Sequence, residues 1–420
     1  MFAEPVPSSA ALRATPRRLW VWLVVLPLCY WGALAAHPGC FLYVGIRHYG
    51  VWFIDTFAIL ASNDALERGL DVYATNPMDY FGRPHVYSHW WFGLGRLGLT
   101  RADNFWLGVA LGLTFLTAVV SLLRPRTAGE LLWYLSVLGA SPVLLAVERA
   151  NNDLVIFLLL APVVPCLLSP REGWQWVAVL LIMFAAGLKF YPAVAGVLLL
   201  TPGEWRRVRW RVGGGALGLT LVALNVAPDF LRVRSLLPAA DGLMSFRANQ
   251  LFAQFGIAGA APWLSLGIGA LAALAWWRAD VFHGWEIPAV ARGRWLYFVM
   301  GAVVLCGCFF SAPNFAYRWI FALWLAPWLW WTARETSAPR AVRRLTEVTM
   351  VLLGAALWID PMTCAILACQ IGHVPGPTLG RAADIVFRVE QPVTWALFVC
   401  LLGFLTQFVR AGLSAIRSAI

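Results

Sequence analysis

Four stretches of this chain bring together side chains that can move a proton or hold an anion. Asp55 lies in a run, 52–68, whose apolar residues recur at helical spacing. Glu148-Arg149-Ala150-Asn151-Asn152-Asp153 sets acids, a guanidinium and two amides directly before an apolar segment. Lys189, the single lysine among 32 basic residues, is followed by Tyr191 and Pro192. Asn314, Tyr317 and Arg318 form the fourth group. A carboxylate can take a proton from a hydroxyl, and a guanidinium or ammonium can hold a phosphate. Each group also has a structural reading. Glu148 and Arg149 can pair across two helix ends. Asn152 and Asp153 are N-cap types. Lys189 can snorkel to an interface, Arg318 can anchor a helix end, and Asp55 can simply be solvated. His85 and His89, near Tyr87 and Trp90, read first as interfacial residues.

The elements that must position these groups follow from composition. Hydrophobic residues are 60% of the 420 and charged residues 13%, and mean hydropathy is +0.71. A soluble chain carries roughly a quarter charged residues, so this one has too little polar surface for a water-facing globule. Apolar runs near the length that crosses a ~30 Å hydrocarbon core recur along it, and in lipid such runs must be helices. The expected fold is therefore all-α and polytopic, a single membrane domain over 1–420. Twelve segments are read, at 19–36, 104–123, 129–147, 151–168, 174–188, 190–201, 212–227, 262–279, 294–311, 315–333, 345–359 and 391–409. The run 174–201 is read as two short helices turning at Lys189-Phe190-Tyr191-Pro192, because Pro192 suits a first helical turn and breaks a continuous helix. The run 19–36 exceeds a signal-peptide core and is read as an uncleaved first helix.

The net charge of +11 is arginine punctuating the gaps between apolar runs, not a basic module, so a nucleic-acid partner is excluded. With both termini cytoplasmic, 19 of the 32 basic residues fall inside and 13 outside, as the positive-inside rule requires. The long outside gaps are then 37–103, 228–261 and 360–390. Asp55, Asp64, Glu67 and Arg68 interrupt the run 52–68, which fits an interfacial helix better than a crossing; 71–88 reads as loop. On this topology the four polar groups collect at one membrane face. Charged groups at membrane depth usually face a cavity or a partner, so an outward-open polar cavity is expected. The eight cysteines show no ligand spacing, and no metal or other cofactor is expected; Cys364 and Cys369 are a possible outside pair.

The run Glu148–Asp153 resembles the Glu-Arg-Gly-Asn-x-Asp signature of glycosyltransferase family 87, with Ala150 in place of Gly. Leu188-Lys189-Phe190-Tyr191-Pro192 is similar to that family's Leu-Lys-x-Tyr-Pro turn. Asp55, Gly69-Leu70-Asp71-Val72-Tyr73, Asn76-Pro77 and Tyr87 resemble its first outside loop, from which Ser88-His89 departs. Asn249-Gln250 is similar to its Asn-Gln-Ser element, with Leu251 replacing Ser. The likeness covers most of 50–320. It implies a GT-C fold and transfer of a sugar, mannose being the family's best-known, from a polyprenyl-phosphate donor to a lipid or glycan acceptor. The setting would be the outer face of a bacterial plasma membrane. It implies Asp55 as catalytic base, Lys189, Arg318 and Arg149 at the donor phosphate, and Glu148, Asn152, Asp153, Tyr191, Tyr87, His89, Asn249, Asn314 and Tyr317 around the substrates. It implies an inverting, metal-independent displacement. A multi-pass transporter is the rival reading, but it calls for paired helix breaks near mid-membrane, and no half-repeat is present. A non-catalytic assembly protein keeping the fold is the third.

Overall fold

In the computed structural model, residues 17–237, 244–311, 314–368 and 377–417 are described. Each of the twelve apolar segments is helical. Six helices are long and apolar enough to cross a membrane, or seven if the pair Ala128–Leu138 and Ser141–Glu148, bent by 55°, is one span. The six contain Leu19–Ala36, Arg101–Leu122, Arg206–Val233, Ala289–Ser311, Arg340–Ile366 and Arg388–Ser414. The rest of the expected segments are shorter or tighter. Asp153–Leu160 and Val163–Leu168 are broken beside Pro162. Tyr191–Leu200 and Ala316–Trp324 are 3-10 helices. Among the described residues the only strands are Ser245–Phe246 and Asn314–Phe315, paired antiparallel as Ser245 with Phe315 and Phe246 with Asn314.

The turn at 189–192 is as the sequence predicts. Helix Glu172–Leu188 ends there and the 3-10 helix starts at Tyr191 with Pro192 in its first turn. Two boundaries differ. The helix expected over 212–227 runs Trp205–Val233. Arginine is a good helix former, and Arg211 folds back onto the carbonyls of Leu199 and Thr201, so the helix extends past its apolar stretch. The gap expected over 360–390 is helical up to Ala368 and again from Pro377. Asp360, Thr363 and Glu390 lie in that expected gap, yet all three are buried where these two helices pack together. Cys369 lies outside the described residues.

The core is aromatic. Phe157 stacks on Trp324 at 4.5 Å, and Trp295 meets Trp328 at 4.8 Å. Phe298 meets Phe404 edge-on at 4.8 Å. The 3-10 helix Ala316–Trp324 is buried among the bent pair, the Asp153 helix and Arg292–Ser311. Leu19–Ala36 is mostly exposed, as expected of a helix facing lipid.

The first loop is built on helix Ile54–Glu67, which rests against Asn104–Leu122 through a close approach. A Cβ placed on Gly108 would lie 2.2 Å from Cγ of Phe53, the residue leading into that helix. Gly108→Ala should therefore displace Phe53 and cost about 1–3 kcal/mol, read as a lower Tm of the detergent-purified protein. An unchanged Tm would mean the two elements are not in contact at this point.

Candidate functional site

Helix Ile54–Glu67 has no side-chain cap of its own, and the first N–H groups of any helix lack partners within it. Here the turn between the bent pair and helix Asp153–Leu160 supplies acceptors to this end of the helix. The Phe53 N–H donates to the Glu148 carbonyl and the Asp55 N–H to the Arg149 carbonyl, both at 3.1 Å. The Thr56 hydroxyl donates to the Ala150 carbonyl at 2.6 Å. The junction needs left-handed backbone on both sides: Phe53 has φ 60° and Ala150 φ 41°. Such a conformation costs an L-residue roughly 1–2 kcal/mol, which is why glycine is the residue expected at position 150.

The capped end puts Asp55, 7% exposed, on the wall of a cavity of about 210 Å³ that it shares with Ser62, Arg83, His85, Tyr87, Arg149, Phe315 and Tyr317. Asn151 donates from its amide to Asp55 Oδ2 at 2.6 Å. Arg83 is gripped by Asp79, Nε to Oδ2 at 2.9 Å and Nη2 to Oδ1 at 3.0 Å, and Nη2 also reaches the Ile54 carbonyl at 3.2 Å. That leaves Nη1, which stands 3.7 Å from Asp55 Oδ1, beyond hydrogen-bond reach. Burial works against the Arg83 charge, but the hydrogen bond and charge of Asp79, with Asp55 behind it, hold the guanidinium above its ordinary value. Burial pushes His85 down to about 4, so at neutral pH it adds shape and no charge. Burial, and then the negative Asp55, push the Tyr87 phenol up, so it stays a hydrogen-bond donor. The Arg149 guanidinium lies over the Tyr49 ring at 5.7 Å.

Behind this wall stands a second charged group. Asp153 is fully buried. Its Oδ1 meets Lys189 Nζ and accepts the Tyr191 hydroxyl at 2.8 Å, and its Oδ2 lies 3.6 Å from Arg318 Nε. Lys189 Nζ sits 5.4, 5.9 and 5.8 Å from the rings of Tyr87, Tyr191 and Tyr317, and Arg318 covers Tyr191 at 4.7 Å. Tyr87 and Tyr317 are therefore shared: one face lines the cavity and the other surrounds the lysine.

The residues singled out in the sequence thus divide. Asp55, Arg149, Tyr87 and Tyr317 line the cavity. Lys189, Arg318, Tyr191 and Asp153 form the node behind it. Glu148 turns away to His48 Nδ1 at 2.8 Å. Asn152 is buried beside the Tyr87 hydroxyl but makes no well-directed hydrogen bond. Three stand apart. His89 pairs with Asp229 at 2.6 Å, Asn249 leads into the short helix Gln250–Gln254, and Asn314 donates to the Cys308 carbonyl. Sequence reasoning did not single out Arg83, although it is the only basic residue in 71–88, nor assign a role to Asn151. A more open hollow of about 330 Å³ lies at Asp280–Glu286 and Arg410. Its Asp280 is already paired with both His283 and Arg410.

No family model matches the chain, and no curated protein matches it. Among solved structures it is similar to ArnT from Cupriavidus metallidurans in the apo state, at 15% identity and a TM-score of 0.34, over 92% of this chain and 76% of that one.

Two outcomes follow from the geometry. Asp153→Ala leaves Lys189 and Arg318 uncompensated and should lower stability by roughly 3–5 kcal/mol, with partial recovery when Lys189→Met is added. A single variant as stable as wild type would show that the node holds nothing together. At position 150, glycine relieves roughly 1–2 kcal/mol of strain but gives up a buried methyl worth about 0.8 kcal/mol and adds backbone entropy to the unfolded chain worth about 0.5–1 kcal/mol. Ala150→Gly should therefore be near neutral, whereas Ala150→Val, β-branched at positive φ, should lower the Tm clearly. Equal Tm values for Val and Gly would contradict the strained geometry.

Proposed function

We propose that this chain is a GT-C-type membrane glycosyltransferase. It moves a sugar, expected to be a hexose such as mannose, from a polyprenyl-phosphate donor to a lipid or glycan acceptor at the extracytoplasmic face of a bacterial plasma membrane. The observation that carries the reading is the cavity in which one carboxylate, Asp55, faces two guanidinium groups, Arg83 and Arg149. Glycosyl transfer from a lipid phosphate needs both. The acceptor hydroxyl is a weak nucleophile and must lose a proton as it attacks. The departing phosphate gains charge and needs fixed cations.

In the proposed step, Asp55 takes the hydroxyl proton while the acceptor oxygen bonds to the anomeric carbon. The bond from that carbon to the phosphate oxygen breaks, and polyprenyl phosphate leaves with the electron pair. Attack opposite the leaving group inverts the anomeric centre. Arg83 Nη1 and Arg149 are the cations nearest the reacting atoms. Lys189 and Arg318, whose charge exceeds that of Asp153 by one, add positive potential from behind Tyr87 and Tyr317. The cavity is smaller than the roughly 300–1,000 Å³ of whole-ligand sites. It suits the sugar end of the donor, with the lipid tail left among the helices.

The test is sugar transfer by the purified chain in nanodiscs, given sugar-labelled polyprenyl-phosphate donors and a lipid extract of the host. Asp55→Asn should lose roughly 10²–10⁴-fold in turnover while inserting and melting like wild type. Turnover retained in that variant removes Asp55 as base. No transfer by folded wild type with any donor removes the reaction.

A further inference from the structure

The side chain of Asn151 has both ends committed. Its carbonyl oxygen accepts the backbone N–H of Asp153 at 2.9 Å. An amide whose oxygen is held in this way cannot turn end for end without setting one donor against another. Its NH₂ group therefore faces Asp55, with Nδ2 2.6 Å from Oδ2. A carboxyl oxygen that meets an N–H must present a lone pair. Asp55 Oδ2 thus has no room for a proton, and Oδ1, on the side of Arg83 Nη1, is the oxygen left to receive one. Among the described residues this amide makes the one side-chain hydrogen bond to Asp55, and Asn151 is itself 1% exposed.

We propose that Asn151 is the positioning residue of the Asp55 base. It turns the carboxylate so that Oδ1 alone takes the acceptor's proton. This rests on the reading of Asp55 as base and adds to it a residue that touches no substrate. The physical ground is that a hydrogen bond given to the charged form of an acid favours that form. The direction of the bond is fixed from the far side, by Asp153. One turn of chain therefore does two tasks: its carbonyls hold the helix that carries Asp55, and its Asn151 amide aims the carboxylate. The other charged or titratable groups around Asp55 are Arg83, His85 and Tyr87 from the first loop, Glu148, Arg149 and Asp153 from the turn, and Lys189 and Tyr317 beyond it. None of them is replaced in an Asn151 variant; Asn151→Leu also removes the acceptor of the Asp153 N–H, which Asn151→Asp keeps.

Two variants separate aim from architecture. Asn151→Leu keeps the size and removes the donor. Asn151→Asp keeps an acceptor for the Asp153 N–H and sets a second carboxyl against the first, so that the two must share a proton. The full chain in nanodiscs is treated with a hydrophobic carbodiimide, which modifies protonated carboxyls, from pH 4 to 9. Modification of the Asp55 peptide is read by mass spectrometry. The pH of half-modification should rise in Asn151→Leu and further in Asn151→Asp. In the transfer assay, Asn151→Leu should lose roughly 100-fold in kcat with the donor KM little changed. A wild-type Asp55 modification profile in both variants overturns the proposal, and so does wild-type kcat. If one variant fails to fold, the other decides alone, because each removes the amide N–H. The carbodiimide arm uses no substrate, so the two readings fail separately. Unshifted modification with an inactive Asp55→Asn removes Asn151 and leaves the base. An active Asp55→Asn removes the base.

Discussion

The carbonyl groups of Glu148 and Arg149 close the open N-terminus of the helix that carries Asp55, and the rest of the site is arranged around that junction. A helix start in a low-dielectric setting leaves N–H groups that are costly to bury unpaired. The usual remedy is a Ser, Thr, Asp or Asn at the cap. This chain has Phe53 there, at positive φ, so the cap comes from a turn nearly a hundred residues away. The consequence is geometric. Asp55 cannot move relative to Arg149, Ala150 and Asn151 without breaking backbone hydrogen bonds. A carboxylate, a guanidinium and an amide from distant parts of the chain are thereby held together by main-chain contacts, and not by the weaker attraction of exposed side chains.

The node at Asp153 meets a different constraint. Two cations and one acid are buried together at the base of two helices. An isolated charge there would be expelled or neutralised, and a single pair often contributes little net stability. The third charge and the ring of tyrosines change the balance, because each cation meets both the acid and an aromatic face. What results is less a stabilising contact than a rigid back wall. Tyr87 and Tyr317, far apart in the sequence, are fixed by the same ammonium group and present their other faces to the cavity.

Much of this was legible in the sequence where local chemistry decides. Pro192 placed the turn after Lys189, and four charged residues kept 52–68 from reading as a crossing. Asn152 and Asp153 read as N-cap types for their own helix, but that the carbonyls before them close a second helix nearly a hundred residues earlier is a long-range fact of the fold. Long-range pairing was not legible. Asp79 and Arg83 look like ordinary loop residues until the chain folds that loop against the Ile54 carbonyl. Lys189 and Arg318 look like free cations because the acid they share lies thirty-six residues before one of them and far from the other. The polar residues of 360–390 read as loop because their burial depends on one helix packing along the next, which composition does not show. His89 looked like part of the same loop chemistry as Tyr87, but Asp229 of a later helix draws it aside.

For the proposed reaction, a base and a cationic clamp are at odds. The same guanidinium that holds a departing phosphate would, at full hydrogen-bond contact, hold the carboxylate as an anion too stable to take a proton. The geometry around Arg83 meets this conflict. Asp79 occupies Nε and Nη2, and the Ile54 carbonyl restrains Nη2 further. With its fork engaged on one side, Arg83 cannot rotate to embrace Asp55, and Nη1 stays 3.7 Å from Oδ1. At that separation the charges still attract through a screened field, but the directed bond is absent, and Oδ1 remains free for a hydroxyl. Asn151 completes the division by occupying the other oxygen. An acid, an arginine and an amide each engaged from behind are what let one small cavity keep a basic carboxylate beside positive charge.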